Sequence, residues 1–321
     1  MKIYKSRDYN WIFNEKNGNF ARWGHTKEAD PQMSTIGPEL ADIEVSTICH
    51  RACPWCYKSN TKVGRNMSFE TFKKVFDKIP KNITQVAFGI GDIDGNPELW
   101  DMMRYCREND VVPNITINGD RLDQDHVDLL AHYCGAVAVS HYDDEVCFRA
   151  IRMLRDAGIE QVNIHKLVAA ETYESCINLV TNPPKGVNAI VFLGLKTIGD
   201  RNTFTPMAMK EYSILIHLGL KSDVKIGMDS CSANKFLEVV KGHKDYKSFA
   251  MMAEPCESTC FSIYVNTDGF AYPCSFVESK YYGINMLEVD DFIEEVWYSK
   301  EFRTFRHKLW KCNRSCPHYT V

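Results

Sequence analysis

From about residue 41 to 225 the chain alternates β-rich runs with longer amphipathic segments. That alternation restricts it to folds in which parallel strands are joined by helical crossovers. A first strand reads across Ala41 to Thr47. Ser68 to Ile79 then reads as a helix and Gln85 to Phe88 as a strand, and Pro97 to Glu108 with Asn114 to Ile117 repeat the pattern. So do Asp123 to His132 with Ala136 to Val139, Glu145 to Ala157 with Gln161 to Ile164, and Glu171 to Val180 with Ala189 to Phe192. Thr205 is a good N-cap and Pro206 suits the first helical position, which predicts a further helix through Leu218. Six β/α units with near-continuous apolar strands predict an α/β fold, a parallel sheet covered by helices. Active sites in such folds gather at the C-terminal ends of the strands.

Directly after the first strand stands Cys49-His50-Arg51-Ala52-Cys53-Pro54-Trp55-Cys56-Tyr57, three cysteines within eight residues. Three thiolates from one loop can hold three irons of a 4Fe-4S cubane and leave the fourth iron without a protein ligand. Zinc is the rival reading, because Cys-x2-Cys pairs also build tetrahedral sites; it needs a fourth ligand, and His50 would serve only with awkward geometry. A disulfide framework is disfavoured, since the opening MKIYKSRDYN has no apolar secretory segment. The thiols therefore suit a reducing compartment, and a cytoplasmic protein is expected.

The 321 residues can bury a sizeable core in one large domain with a small one attached. A formal charge of -4 gives no electrostatic reason to expect a nucleic-acid partner. No run approaches the roughly 18 apolar residues that cross a bilayer. Lys300 to Arg314 is locally basic and reads as a solvated helix face.

The CxxxCxxC spacing followed by an aromatic resembles the signature of the radical S-adenosylmethionine superfamily. The resemblance implies a partial six-stranded (β/α)6 TIM-like barrel over residues 41–225, with Cys49, Cys53 and Cys56 holding a catalytic 4Fe-4S cluster whose open iron is chelated by S-adenosylmethionine. Cleavage of that cofactor to a 5′-deoxyadenosyl radical is the chemistry it implies, fed by a reductant such as flavodoxin or ferredoxin. Three further landmarks match. Phe88-Gly89-Ile90-Gly91-Asp92 resembles the family's strand-terminal Gly-Gly-Glu, with Ile90 at a usual glycine and Asp92 one methylene shorter than glutamate. Gly89, Gly91 and Asp92 are thereby expected near the methionine ammonium. Asn118 in Ile117-Asn118-Gly119 matches the third strand's end, and Ser140 and Asn163 match places where polar groups meet the ribose or carboxylate. Tyr57 is expected to set its backbone against adenine.

After residue 225 the chain carries Cys231, Cys256, Cys260, Cys274, Cys312 and Cys316, whereas Cys106, Cys134, Cys147 and Cys176 read as buried small hydrophobes. Cys256-x12-Gly269-x4-Cys274 resembles the opening of the auxiliary-cluster region called SPASM. Phe261 to Val265 and Gly269 to Pro273 read as a β-hairpin turning at Asn266 to Gly269. Over residues 226–321 the resemblance implies a shortened, twitch-like domain with one auxiliary 4Fe-4S cluster on Cys256, Cys274, Cys312 and Cys316. Cys260 displacing Cys256, coordination by Cys231, and a structural zinc stay open. Residues 1–40 contain two strands, Tyr9 to Asn14 and Gly18 to Trp23, a hairpin extension too short for a separate peptide-recognition module and expected to act as structure or lid.

The resemblance implies hydrogen abstraction from a peptide or protein, leading to oxidation, cross-linking or epimerisation. A nucleoside, sugar or other small metabolite is the alternative substrate, and a noncatalytic metal scaffold the remaining one. For epimerisation, Cys231 is the first candidate hydrogen donor and Cys260 the second. Changing Cys49, Cys53 or Cys56 to Ala is expected to abolish 5′-deoxyadenosine production under reducing conditions. Wild-type yields from all three variants would show that these are not the catalytic ligands.

Overall fold

The computed structural model describes residues 1–26 and 29–316. Its first strands, β1 (Lys2–Tyr4), β2 (Asn10–Phe13) and β3 (Phe20–Trp23), pair antiparallel in chain order. There follow β4 (Leu40–Glu44), α1 (Phe69–Lys78), β5 (Gln85–Gly89), α2 (Leu99–Glu108), β6 (Val112–Ile117), α3 (Gln124–Tyr133) and β7 (Val137–Ser140). The alternation continues through α4 (Asp144–Asp156), β8 (Val162–Val168), α5 (Tyr173–Thr181), β9 (Ala189–Gly194), α6 (Met209–Gly219) and β10 (Lys225–Met228). From β4 to β10 every neighbouring pair is parallel. The chain is thus a partial barrel of the expected class, with β10 as a seventh strand beyond the six predicted. Lys225-Ile226-Gly227-Met228 has one β-branched residue and a glycine, so it carries almost no strand signal.

The helices begin where side chains cap them. Ser68 accepts from the amide of Thr71, Asp123 from that of His126 and Asp143 from that of Val146. The expected cap at Thr205 does not form: α6 starts behind Ala208, and Thr205 instead gives its amide and hydroxyl to the Glu171 carboxylate at 3.0 and 2.9 Å. The Glu171 carboxylate takes Thr205 as a donor, and the helix begins four residues later at Met209.

The remaining elements are α7 (Ala233–Val239), α8 (Tyr246–Met252), β11 (Ser262–Val265), β12 (Phe270–Tyr272), β13 (Ile284–Asn285) and α9 (Lys300–Lys311). β11 and β12 form the expected hairpin, with Gly269 at φ +80° in its turn. β11 also pairs parallel with β4, Tyr264 beside Asp42, so one ten-stranded sheet runs β10-β9-β8-β7-β6-β5-β4-β11-β12-β13. Among the described residues no helix is long and apolar enough to cross a membrane.

The main core lies between the parallel sheet and its helices. A second core joins Tyr9, Trp11 and Phe13 of the N-terminal sheet to Phe261, Tyr282, Phe305 and Leu309, and includes Val112 at the start of β6. The N-terminal sheet therefore packs at the end of the barrel opposite the strands' C-termini, which overturns its reading as a lid. Arg22 fixes it there, 3.7 Å over the Phe261 ring and paired with Glu39 at 3.1 Å and Glu257 at 2.6 Å.

The basic terminal helix is not uniformly solvated. Arg306 is 2% exposed and donates to the Thr259 and Trp297 carbonyls at 2.5–3.0 Å, which holds Thr259 at φ +62°. Arg306→Leu leaves these carbonyls without that donor, and is expected to lower unfolding free energy by about 2–4 kcal/mol. Urea denaturation reads the change; a loss below about 0.5 kcal/mol would contradict it.

Candidate functional site

The Cys49–Cys56 loop leaves the C-terminal end of β4 and is held from four sides. Asp92 takes the His50 amide at 2.9 Å on Oδ2, and faces the His50 ring at 2.6 Å and the Asn118 amide group at 3.0 Å through Oδ1. Asn118 also donates to the Gly91 carbonyl at 3.0 Å, and the Asp92 amide reaches the Ile48 carbonyl at 3.0 Å. Gly91 must be glycine, since a Cβ there would stand 2.2 Å from the Ile48 carbonyl oxygen and 2.5 Å from the Cys49 Cβ. Gly199, at φ +97°, likewise lies against the Cys56 carbonyl, and Arg201 donates to the Ala52 and Asn60 carbonyls at 3.1 and 2.8 Å. Arg51 pairs with Asp120 and lies 4.3 Å over the Tyr142 ring, while Trp55 stacks on Phe204 at 4.3 Å.

Asp92 is 2% exposed, and its two oxygens meet the His50 amide, the His50 ring and the Asn118 amide group, so it clamps the loop. Gly91 lies against the same loop and Asn118 against Gly91 and Asp92; Gly89 stands beside Glu44 of β4, and Ser140 and Asn163 lie on β7 and β8, farther round the barrel.

Burial raises the Cys49 thiol, against which the amides of Ala52 and Arg51 donate to its sulfur. Cys53 is pushed up to about 11 by burial and by the neighbouring Cys49 and Cys56. Three thiolates in one loop repel each other, so they ionise together only against a compensating cation. Sulfur ligands with amide donors aimed at them suit an iron-sulfur cluster. No group of three or more His, Cys, Asp or Glu side chains among the described residues is drawn together tightly enough to hold a single metal ion. A cubane, whose thiolates stand on separate irons, asks for a wider spread than a zinc site does.

Strand alternation turns Asp42, Glu44, Thr116, Ser140, Asn163 and His165 away from the helix-covered face, so they line the barrel's interior. Of these, the sequence pointed to Ser140 and Asn163 alone; the alternation of polar with apolar residues inside β4, β6 and β8 was the available signal. Protein packs around Asp42 although water reaches it, and burial raises its carboxyl from 3.8 to about 6. Burial lowers His165 to about 4, partly offset by Asp229, so its ring is neutral near pH 7. Lys58, two residues past Cys56, meets Glu44 at 3.2 Å, the Tyr264 hydroxyl at 2.6 Å and Glu278, joining the loop to the hairpin.

Tyr57 points the same way. Its ring is 38% exposed, 4.5 Å from that of Phe276, and its hydroxyl reaches Ser275 at 3.4 Å. It thus spans from Cys56 to the residues after Cys274. Beyond it stand the C-terminal thiols. Cys256 and Cys274 are close together, with Cys316 and Cys231 acting on both. Cys312 is exposed on the C-cap of α9. Cys260 is fully buried in the second core, which leaves it no open face toward a substrate. Cys231, in the turn after β10, lies within reach of the charges of Cys256 and Cys316.

Residues 43–183 match the Radical SAM superfamily, and residues 256–318 match SPASM, an iron-sulfur cluster-binding domain. No curated protein matches the chain significantly. Among solved structures, Streptococcus suis SuiB bound to S-adenosylmethionine superposes with a TM-score of 0.67 at 14% identity, over 85% of this chain and 68% of that one. SuiB bound to the precursor peptide SuiA gives 0.66 at 14%, over 84% and 67%. Native anSMEcpe with bound AdoMet and the Cp18Cys peptide gives 0.63 at 16%, over 88% and 89%. At these identities the likeness shows the fold.

The raised carboxyl of Asp42 has a readable consequence. The folded chain holds this proton more tightly than the unfolded chain, so its stabilising contribution is complete below about pH 3.8 and is lost as pH rises through about 6. Asp42→Asn is therefore expected to raise the melting temperature above pH 6 and to leave it unchanged near pH 3.5. Thermal melts across that range check this; an advantage independent of pH would contradict it.

Proposed function

The chain belongs to the radical S-adenosylmethionine superfamily and carries a SPASM auxiliary domain, and from this premise we propose that it abstracts hydrogen from a peptide or protein substrate. The observation that carries the reading is the junction of the two iron-sulfur regions across one sheet, with Tyr57 and Lys58 reaching from the cysteine loop to the hairpin beside a polar barrel interior. The fold is shared with SuiB, whose structure includes the precursor peptide SuiA, and with anSMEcpe, whose structure includes AdoMet and the Cp18Cys peptide.

Cys49, Cys53 and Cys56 would hold the catalytic cluster and the C-terminal thiols an auxiliary one. When bound, the first cluster with S-adenosylmethionine supplies a 5′-deoxyadenosyl radical. The chain's own residues serve that chemistry by position. Asp92, Asn118, Gly91 and Arg201 fix the loop, which keeps the reacting centre at a constant depth. Trp55, Phe204 and Tyr142 cover its outer side with apolar surface. Asp42, Glu44, Thr116, Ser140, Asn163 and neutral His165 offer acceptors and donors to a peptide's amides and polar side chains. Tyr57 is suited to backbone contact with the cofactor, its ring already resting against Phe276.

The test is anaerobic turnover with a peptide encoded beside the gene and deuterated throughout. Deuterium appearing in 5′-deoxyadenosine, together with loss of two hydrogens or inversion at an α-carbon, is the expected result. Unlabelled 5′-deoxyadenosine and unchanged peptide, with label instead transferred from a nucleoside or sugar, would overturn it.

A further inference from the structure

The four thiols expected to form the auxiliary site are not the four that the fold assembles. Cys256, Cys274 and Cys316 keep company with Cys231, and each of these four lies within electrostatic reach of the other three. None of the main charges acting on Cys231, Cys256 or Cys274 is that of Cys312.

Direct contacts close the same circle. Cys231 sits in the turn Ser230–Ser232, held by Asp229, whose side chain accepts from the Ser232 amide. Three residues on, Asn234 donates to the Ser315 hydroxyl at 2.6 Å, next to Cys316. The Cys256 amide reaches the Arg314 carbonyl at 3.3 Å, and the Arg314 guanidinium returns to the Cys256 carbonyl at 3.1 Å. Lys196 pairs with Asp229 and stands 4.9 Å over the ring of Phe276, which ties the Cys231 turn to the Cys274 segment. The exclusion of Cys312 has a backbone cause. It caps α9, after which Asn313 and Arg314 adopt φ of +49° and +57°. Two consecutive left-handed residues reverse the chain, sending Cys316 back toward Cys256 while Cys312 remains outside.

We propose that Cys231, Cys256, Cys274 and Cys316 ligate the auxiliary cluster and that Cys312 does not. The inference rests on the reading that this domain takes an auxiliary cluster. In ligation each thiol releases its proton to solvent and its sulfur binds one iron; iron and sulfide come from the reconstitution mixture, and binding itself moves no electron between protein and cluster. The consequence is architectural. Cys231 follows β10, one edge of the ten-stranded sheet, and Cys274 follows β12 near the other edge. A cluster on these thiols closes the open barrel through iron and sulfur where no strand pairing does so, and it leaves Cys231 unavailable as a hydrogen donor.

The experiment uses full-length protein with Cys49, Cys53 and Cys56 changed to Ala, so that any cluster belongs to the auxiliary site. After anaerobic reconstitution this protein is expected to hold about four irons per chain. Adding Cys312→Ala should leave iron content and the Mössbauer spectrum unchanged, while adding Cys231→Ala should remove the four-iron spectrum. Retention with Cys231→Ala and loss with Cys312→Ala would overturn this ligand set alone; no iron in the parent variant would overturn the auxiliary-cluster reading with it. Differential alkylation of wild-type protein guards against misfolding of the variants. Cys312 should react equally in apo and reconstituted protein, whereas Cys231 should be protected on reconstitution together with Cys256, Cys274 and Cys316. Protection of Cys312 with Cys231 still reactive would contradict the assignment.

Discussion

Strand β4 is hydrogen-bonded on both sides, to β5 within the barrel and to β11 of the C-terminal domain, and its own C-terminal end runs straight into the cysteine loop. Five residues therefore set three things at once. They fix the depth of the loop, the inward direction of Asp42 and Glu44, and the position of the hairpin that leads to Cys274. Parallel pairing demands that both partners be covered by other chain, and here helices α1 and α9 and the N-terminal sheet lie over the junction's surroundings.

From that strand the two thiol groups acquire a fixed relation. The cysteine loop cannot slide, because Gly91 lies too close to Ile48 and Cys49 for any side chain and Asp92 binds the His50 amide and ring. The hairpin cannot lift without breaking the Lys58 contacts to Glu44, Tyr264 and Glu278, which lie in a partly dry region where such bonds are strong. Tyr57 fills the space between. The interior that results is polar on the side facing the barrel axis and apolar on the side facing the helices, which suits a substrate held by hydrogen bonds in front of a reactive centre.

Much of this was legible in the sequence because it depends on local signals. Ser68 and Asp123 cap helices where they were expected, and the cysteine spacing lies in a single loop that a strand must precede. What escaped depends on distant partners. Thr205 bonds Glu171, thirty-four residues away in the chain, and the helix begins at Met209 instead. β10 lacks strand-forming residues and exists because β9 offers it a parallel edge. Asp92 matched a motif position, but no local signal announces its contacts with the His50 amide, the His50 ring and Asn118. Cys312 and Cys316 look like a pair by spacing, but the left-handed residues between them turn them in different directions. Spacing alone reports which thiols are near in the chain; the reversal at Asn313 and Arg314 decides which are near in space.

On the proposed reading, the loop at the end of β4 presents an iron open to S-adenosylmethionine while protein ligands close the second site. Electron paramagnetic resonance of the reduced, fully reconstituted protein, recorded with and without S-adenosylmethionine, separates the two sites. Two overlapping cluster signals are expected, of which one changes its g-values on addition of S-adenosylmethionine and the other does not. Spectra identical in both conditions would contradict that reading.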